Sequence, residues 1–545
     1  MSSPSLETQD DFLPSPVRKA GVYFILAFIV FIFYVNAYEN VFLFDDNLLI
    51  QLNSYLPGWS HVGELLTRST TSGVHIVGGF YRPVQMILYL FAFHLGGGTE
   101  FWFHTLNMLL HIANTCLVYK LGTKLDFDRR AVFLGALVWG VHPLFTEAVT
   151  YMSATADPLF ALFCLLGIIV LLPDFTRHKL MMAFPLFLLG LGSKETTVMF
   201  PLLVMVCLFL TSPRRLDFRT YLRTLPYWIV SISYIVWRTH ASGFDGPQSY
   251  SADYDLPQFG NLKLYAAHPM YRIYTFFATL PAYLNLTVYP TGLHMERSIT
   301  VYSTLFAGPV LIGLGMCFLA AGQIVRSARH PGKQIELSWG LLWFGAAHAP
   351  DTGILVPINS LFLEHWMYLP LAGLFLGIAQ TIAKFVQKKP RAYGWAAASV
   401  AVIFAGCLAA KTFRQNEIWR NPGTFYPNIF AYGEVSARAH NNLALYYSDQ
   451  GRYADAIVEF KKAMQISDIY AETPFNLGLT YLRLPPNPQA HIDEAIDSFK
   501  HSIQVDPNFY RSYNMLGEVY ETLLNDPETA AQYRAKGKAI TDRLQ

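Results

Sequence analysis

The stretch AGVYFILAFIVFIFYVNAY, residues 20–38, contains no charged residue. A helix needs about 20 mostly apolar residues to cross a bilayer, so this run alone makes the chain a membrane protein rather than a soluble domain. No small-residue cleavage site lies between it and Asp45, so it reads as a retained span and not as a leader. Directly after it, in VFLFDDNLLIQLN at 41–53, stand two adjacent carboxylates, Asp45 and Asp46.

The rest of the chain repeats the pattern. Of 545 residues, 53% are hydrophobic, 15% aromatic and only 14% charged, with a mean hydropathy of +0.28, too apolar for an ordinary soluble domain. The net charge of +2 is scattered over short loops, which excludes a nucleic-acid surface. Five cysteines (Cys116, Cys164, Cys207, Cys317, Cys407) lie in apolar stretches without paired spacing, as small buried apolar residues rather than disulfides or zinc ligands. Further apolar runs near 101–121, 131–147, 156–173, 180–192, 196–211, 224–240, 301–324, 336–350, 361–384 and 392–410 give about eleven spans in an all-α, polytopic bundle.

Lys and Arg gather on alternate connections: Arg18 and Lys19; Lys120 to Arg130; Arg177 and Lys179; Arg214 to Arg219; Arg326 to Lys333; Lys384 to Arg391. Short loops rich in these residues stay in the cytoplasm. The loops 143–155 and 349–363 contain neither residue and fall on the opposite face. Segment 264–289, interrupted by Pro269 and Pro281 and followed by Pro290, is read as re-entrant or lying along the outer face, because one more crossing would invert every later loop. The expected organisation is a cytoplasmic 1–19, a membrane unit over 20–410, a connector at 411–436 and an external soluble unit over 437–545.

That last unit repeats itself. ARAHNNLALYYSDQGRYADAIVEFKKAMQISDIY at 437–470 is 34 residues long and places Leu443, Ala444, Tyr447, Gly451, Ala456, Phe460 and Ala463 where two antiparallel helices interlock, the pattern of a tetratricopeptide repeat. A second copy spans 471–509, and a third begins at 510 and degrades as a capping repeat does, so about three repeats form an α-solenoid. Such a unit serves either as a peptide-binding groove or as a plain scaffold.

Charged groups are costly at membrane depth, so their placement carries information. Asp45 and Asp46, Arg82 in YRPV, His142, Glu147 and Asp157 in HPLFTEAVTYMSATADP, Lys194 and Glu195 in GSKET, the stretch HAPDTG at 348–353, and Glu364 and His365 in LEHWMYLP all fall at the same ends of their helices. Each has a plain alternative. The acid pair can be a solvated helix end, Arg82 a headgroup anchor, Glu147 and Asp157 helix caps, Lys194 and Glu195 partners of one another, and Glu364 and His365 a closed buried network. Their coincidence on one face points instead to a single external site.

The ordered motifs resemble those of the transmembrane and tetratricopeptide-repeat containing O-mannosyltransferases and their bacterial relatives. They run from the aspartate pair through YRP, FHTLNMLLHIANTCLVY, HPLFTEAVTYMSATAD, SKET, NLTVYPTGLHMERSI and EHWMYLP to NEIWRN, covering the chain from about residue 40. The chain departs from that family at His365, where Arg is frequent, and at SATAD, residues 153–157. The resemblance implies a GT-C membrane bundle that moves a sugar, most plausibly mannose, from a polyprenyl-phosphate donor to Ser or Thr hydroxyls of an exported protein. By its match to the acidic motif of protein O-mannosyltransferases, Asp45 is the base and Asp46 its orienting neighbour.

The residue chemistry is compatible with this. A carboxylate within reach of a hydroxyl accepts its proton during attack, and one base suffices for an inverting displacement. Cations such as Arg82, His142, Lys194 and His365 balance a departing phosphate, with Glu147, Asp157, Glu195 and Glu364 completing the donor phosphate and sugar set. No metal or other cofactor is expected, since a lipid phosphate already leaves well. The expected partners are therefore the polyprenyl-phosphate sugar, an acceptor protein or peptide held by the repeats, and the lipid bilayer, with no nucleic acid. The expected location is a multi-pass membrane protein with its repeats in the periplasm or a lumen, a bacterial inner membrane being favoured by the short repeat array. A secondary transporter and a non-catalytic scaffold are the competing classes. The first predicts two related halves, and the second a dispensable Asp45.

Overall fold

The computed structural model describes residues 15–74, 79–240, 262–330, 334–358, 360–433 and 436–544, and among these there is no strand. Helix α1 (Ser15–Tyr34) is apolar on every side, as a helix surrounded by lipid and neighbours must be. After the short α2 (Val62–Thr67) come α3 (Pro83–Gly96) and α4 (Glu100–Lys124), which meet at Gly97 and Gly98, both in the left-handed region. Next are α5 (Arg129–Gly140), the one-turn α6 (Thr146–Val149), α7 (Ala156–Leu171), α8 (Arg177–Leu191), α9 (Phe200–Thr211) and α10 (Leu225–His240). The bundle closes with α11 (Leu262–Ala267), α12 (Pro269–Val288), α13 (Gly308–Arg329), α14 (Ile335–His348), α15 (Tyr368–Val386) and α16 (Arg391–Ile418).

Among the described residues five helical stretches are long and apolar enough to cross a membrane, Ala20–Glu39, Met152–Leu171, Gly308–Arg329, Glu364–Val386 and Arg391–Ile418, and the bent pair Arg129–Gly140 with Pro143–Val149 makes six. This is fewer than the eleven runs read from sequence, partly because the helices are short or polar on one side. Helix α4 shows why. His104, Asn107, His111 and Asn114 recur every three or four residues, are all buried, and lower its mean hydropathy. The stripe ties α4 to its neighbours: His104 bonds Asn40 O at 3.0 Å, Asn107 donates to Tyr151 O at 3.1 Å, His111 bonds Gly140 O at 2.9 Å, and Asn114 donates to Pro158 O at 2.7 Å. Each residue of the stripe makes at least one such bond, which offsets part of the cost of burial and fixes the rotation of the helix.

The core gathers α1, α4, α5, α7, α8, α9, α14, α15 and α16 around the fully buried Trp139, Trp339, Trp343 and Tyr368. Helices α14 and α15 cross closely. A side chain at Gly377 would stand 2.6 Å from the Glu336 carbonyl, so only glycine fits that contact.

Each bundle helix runs between two ends. One end carries Asp128, Gln380, Gln387 and the Lys- and Arg-rich turns, linked by Asp128 N–H to Gln380 at 2.8 Å. The other carries all six polar motifs. Segment 264–289 lies across that second end: Arg272 reaches Leu355 O at 3.4 Å, Tyr283 stacks on Phe362 at 3.9 Å, and Thr287 O bonds His142 at 3.0 Å. Pro281 does not break it, so α12 is one continuous 20-residue helix. Of the cysteines, Cys164 and Cys207 are buried as expected, Cys116 and Cys317 are half-buried, and Cys407 is exposed on α16.

Helix α16 continues past the polar end. Its last turns pass to α17 (Pro422–Ala431) and to three helix pairs, α18 (Ala437–Asp449) with α19 (Tyr453–Ile466), α20 (Glu472–Arg483) with α21 (Ile492–Val505), and α22 (Tyr510–Thr522) with α23 (Pro527–Leu544). Ala444, Ala456, Phe460, Leu477, Phe499 and Leu516 form the core of this solenoid. The first repeat is not free of the bundle. Ala439 and Leu443 share one apolar cluster with Leu43, Phe44, Tyr151 and Trp419.

Candidate functional site

The polar end is built from helix starts and breaks: short helical turns at Asn47–Gln51, Pro143–Phe145, Met152–Thr155, Glu195–Met199, Ala349–Thr352 and Glu364–Met367. Such turns leave backbone N–H groups unpaired and aim side chains into a shared space.

Asp45 and Asp46 are treated oppositely. Asp46 is 1% exposed. Ser153 N–H and Oγ–H donate to its Oδ1 at 2.7 and 2.5 Å, and Leu43 N–H donates to its Oδ2 at 2.9 Å. Burial pushes its carboxyl up to about 7 against the pull of these donors. It is a clamp between the loop after α1 and the turn before α7. Asp45, beside it, keeps 46% of its side-chain surface accessible and so can be reached from outside. Its backbone N–H donates to Tyr151 OH at 2.9 Å, and its Oδ1 is 3.9 Å from Arg438 of α18. Burial raises its pKa, Arg438 lowers it and Glu296 raises it.

The remaining predicted residues, His142 apart, form one chain of ion pairs. Arg82 donates through Nε and Nη2 to both Glu195 oxygens at 3.1 and 2.7 Å. Lys194 Nζ donates to Asp157 Oδ1 at 2.6 Å, with both side chains 6% exposed. His365 Nδ1 lies 3.0 Å from Glu147 Oε1, out of line for a hydrogen bond, while its backbone N–H donates to Glu147 Oε2 at 3.1 Å and its Nε2 faces Asp157 at 3.9 Å. Glu364 accepts from His294 N–H at 3.0 Å and from Arg297 at 3.2 Å. Adjacent in sequence, Lys194 and Glu195 therefore choose different partners, Arg82 is paired rather than reaching for headgroups, Asp157 accepts from the Lys194 side chain, and Glu147 accepts from the His365 backbone N–H, so neither carboxylate caps its own helix.

His142, expected among the phosphate-binding cations, stands apart from these pairs. It is 0% exposed, and both ring nitrogens are engaged: Nε2 bonds Thr287 O at 3.0 Å and Nδ1 accepts from Leu144 N–H at 3.2 Å. It braces α12 against the turn at Pro143 and presents no free donor to a ligand.

Four residues outside the predicted set belong here. Arg438 and Glu296 face Asp45. Arg297 pairs Glu364. Asp351, pushed up to about 7 by burial and flanked electrostatically by Lys194, Asp157, His365 and Glu195, lines a small recess with Tyr283 and His348. Glu296 and Arg297 lie in HMERSI and Asp351 in HAPDTG, both visible in the sequence; Arg438 carried no local signal. Two segments join the acid pair to the ion pairs. The turn 151–157 binds Asp45 and Asp46 at its start and ends in Asp157, and the connection after α12 sends Glu296 to Arg438 and Arg297 to Glu364. Among the described residues no three His, Cys, Asp or Glu side chains converge as metal ligands. The chemistry on offer is proton acceptance at a half-exposed carboxylate, at the same end of the bundle as cations held by their own partners.

A family model described as "Tetratricopeptide repeat" matches residues 437–468. The chain is 24% identical over 452 residues to "Protein O-mannosyl-transferase F38B6.6" of Caenorhabditis elegans, covering 81% of this chain and 62% of that protein. It is 22% identical over 522 residues to "Protein O-mannosyl-transferase TMTC4" of Mus musculus, covering 83% and 67%. The chain thus spans about two thirds of the length of these relatives. Against the crystal structure of MamA the identity is 19%, the coverage 30% of this chain and 86% of that one, and the TM-score 0.20, too low to carry an argument. Over most of its length the chain therefore has relatives named as O-mannosyl-transferases, as its ordered motifs implied.

Proposed function

We propose that the chain is a membrane glycosyltransferase that moves mannose from a polyprenyl-phosphate donor to a Ser or Thr hydroxyl of an acceptor protein, on the periplasmic or lumenal face, with inversion at the anomeric carbon. The observation that carries the reading is the open Asp45 carboxylate at the same end of the bundle as Arg82, Lys194 and His365. The names of the relatives supply the sugar and the acceptor class.

In this reading Asp45 takes the hydroxyl proton as the oxygen attacks. Burial helps, because a carboxylate with a raised pKa is the stronger base. Asp46 holds the loop against Ser153 so that Asp45 keeps its place. The donor phosphate, already a good leaving group, is received by cations whose own partners hold them at fixed positions, so little reorganisation accompanies charge development. No step is assigned to a metal. The repeats, whose first helix reaches Asp45 through Arg438, hold the acceptor chain.

The test is intact-mass analysis of exported proteins from cells carrying the wild type, a deletion, or Asp45→Asn. Transfer is expected to fall by about 10²–10⁴-fold in the substituted enzyme, so hexose-sized mass losses should match those of the deletion strain. Unchanged glycoforms in Asp45→Asn would remove Asp45 from its role. A reporter fused after Gln545 is expected to report export, and cytoplasmic labelling there would reverse the assigned face.

A further inference from the structure

The surroundings of Asp45 are not made by the membrane unit alone: the first helix of the repeats packs against the loop that carries it. Arg438, in the first turn of α18, lies flat on the Phe44 ring at 3.8 Å, donates through Nη2 to Glu296 Oε1 at 2.6 Å, and brings Nη1 to 3.9 Å from Asp45 Oδ1. Both residues that seat it are strained in their backbone: Phe44 has φ 54° and Glu296 φ 59°, the left-handed region that residues other than glycine, asparagine and aspartate rarely occupy. Strain of this kind persists where the surroundings over-determine it, and the two strained residues meet on one guanidinium. Ala439 and Leu443, on the same helix, are buried against Leu43, Phe44 and Tyr151, which fixes α18 on the loop that carries Asp45.

We propose that Arg438 is a positioning residue for the transfer reaction: seated on Phe44 and anchored by Glu296, it orients and keeps ionised the Asp45 carboxylate, so that the tetratricopeptide unit completes the active site rather than merely delivering the acceptor. The inference rests on the reading of Asp45 as the base. The charged and titratable groups facing Asp45 are Arg438 from α18, Glu296 from the connection after α12, Tyr151 from the turn before α7, Tyr426 from α17, and its neighbour Asp46. Arg438 is the one cation among them. It lowers the Asp45 pKa against burial, while Glu296 raises it. A base must be ionised to act, so losing the cation moves the acid limb of the rate profile to higher pH, and losing the opposing carboxylate moves it to lower pH.

The experiment uses the full chain in nanodiscs, a short-chain polyprenyl-phosphate mannose as donor and a Ser/Thr-rich synthetic peptide as acceptor, with kcat and KM followed from about pH 5 to 9. Arg438→Gln is expected to lower kcat about ten-fold with donor KM little changed, and to move the acid limb up by roughly one unit, the usual size for removing an opposite charge at this distance. Glu296→Gln should move the limb the other way, an opposition that a purely structural role does not produce. Arg438→Lys should restore the position of the limb but only part of kcat, since an ammonium keeps the charge and loses the planar stacking. An Arg438→Gln enzyme with the wild-type limb and kcat, in a preparation where Asp45→Asn is inactive, overturns the inference and leaves the function standing. An active Asp45→Asn overturns both. Should Arg438→Gln fail to fold, Glu296→Gln decides alone: an unmoved or upward limb sinks the proposal.

Discussion

The acid loop at 43–46 and the ion-pair chain from Arg82 to Arg297 occupy one end of the same bundle and handle charge in opposite ways. In the chain each carboxylate has its own cation: Glu195 has Arg82, Asp157 has Lys194, Glu147 has His365 and Glu364 has Arg297. In the loop neither carboxylate has a cation to itself. Asp46 is satisfied by uncharged donors, and Asp45, with 46% of its side chain exposed, faces at 3.9 Å an Arg438 that is already paired with Glu296. Compensated charge can be buried and held still, which suits a group that must receive a phosphate without rearranging. Reachable charge, whose cation is shared and stands further off, is where a proton can be exchanged. In the proposed transfer the two regions take different parts of one reaction.

The comparison breaks first, and most visibly, at Lys194 and Asp157. Breaking a buried ion pair by removing one partner leaves a charge without compensation and costs about 3–5 kcal/mol, whereas replacing both by apolar residues is often nearly neutral. Lys194→Ala is therefore expected to lower the thermal unfolding midpoint in detergent sharply, and the double variant Lys194→Met with Asp157→Leu to recover most of it. Donor binding should not recover, because no cation has been restored. A Lys194→Ala protein as stable as the wild type would mean that the pair is solvated and that the two regions differ less than their geometry implies.

A smaller effect, and a sharper one, concerns Asp46. Its folded-state pKa of about 7 lies above the ordinary carboxylate value, so between these limits the folded chain binds more protons than the unfolded one. Stability from this group is complete below the unfolded value and is lost as pH rises through the folded one. The unfolding midpoint is expected to fall between about pH 4 and 7, and Asp46→Asn to flatten that slope without abolishing it, since Asp351 is also pushed up to about 7. A slope that is identical in Asp46→Asn would mean that the donors from Ser153 and Leu43 outweigh burial and keep Asp46 ionised.

Much of this was legible in the sequence, for identifiable reasons. The cost of charge at membrane depth is large enough that polar residues at helix ends declare themselves, and the polar end assembles as their one-sided placement required. The repeat spacing around Ala444, Ala456 and Phe460 is set by how two helices interlock, a local rule that the first repeat obeys. Partner choice was not legible. Lys194 and Glu195 are neighbours, yet the turn that begins at Glu195 sends one side chain to Asp157 and the other to Arg82. Arg438 looks like any charged residue in the first turn of a solvated helix. Its role depends on where α16 and α17 set the repeat down, which no periodicity encodes. The α4 stripe is similar: its spacing is visible, but its partners Asn40, Tyr151 and Tyr368 come from three other parts of the chain.

The smallest effect tests the boundary between the two kinds of polar residue. His142 has the residue type and sequence position of a phosphate ligand, but its imidazole is enclosed, donating to Thr287 O and accepting from Leu144 N–H. Glutamine can keep one of these bonds but not both in the same geometry, so His142→Gln is expected to cost about 1 kcal/mol, the net worth of one hydrogen bond, seen as a small drop in the unfolding midpoint. Donor KM and kcat should stay within about two-fold, the scatter that loss of a remote strut produces. The reverse outcome, an unchanged midpoint with a ten-fold rise in donor KM, would place the imidazole in the phosphate site. It would also show that bonding inside the protein does not by itself exclude a side chain at this end of the bundle from handling substrate, and the contrast between the open Asp45 and its paired neighbours would lose its meaning.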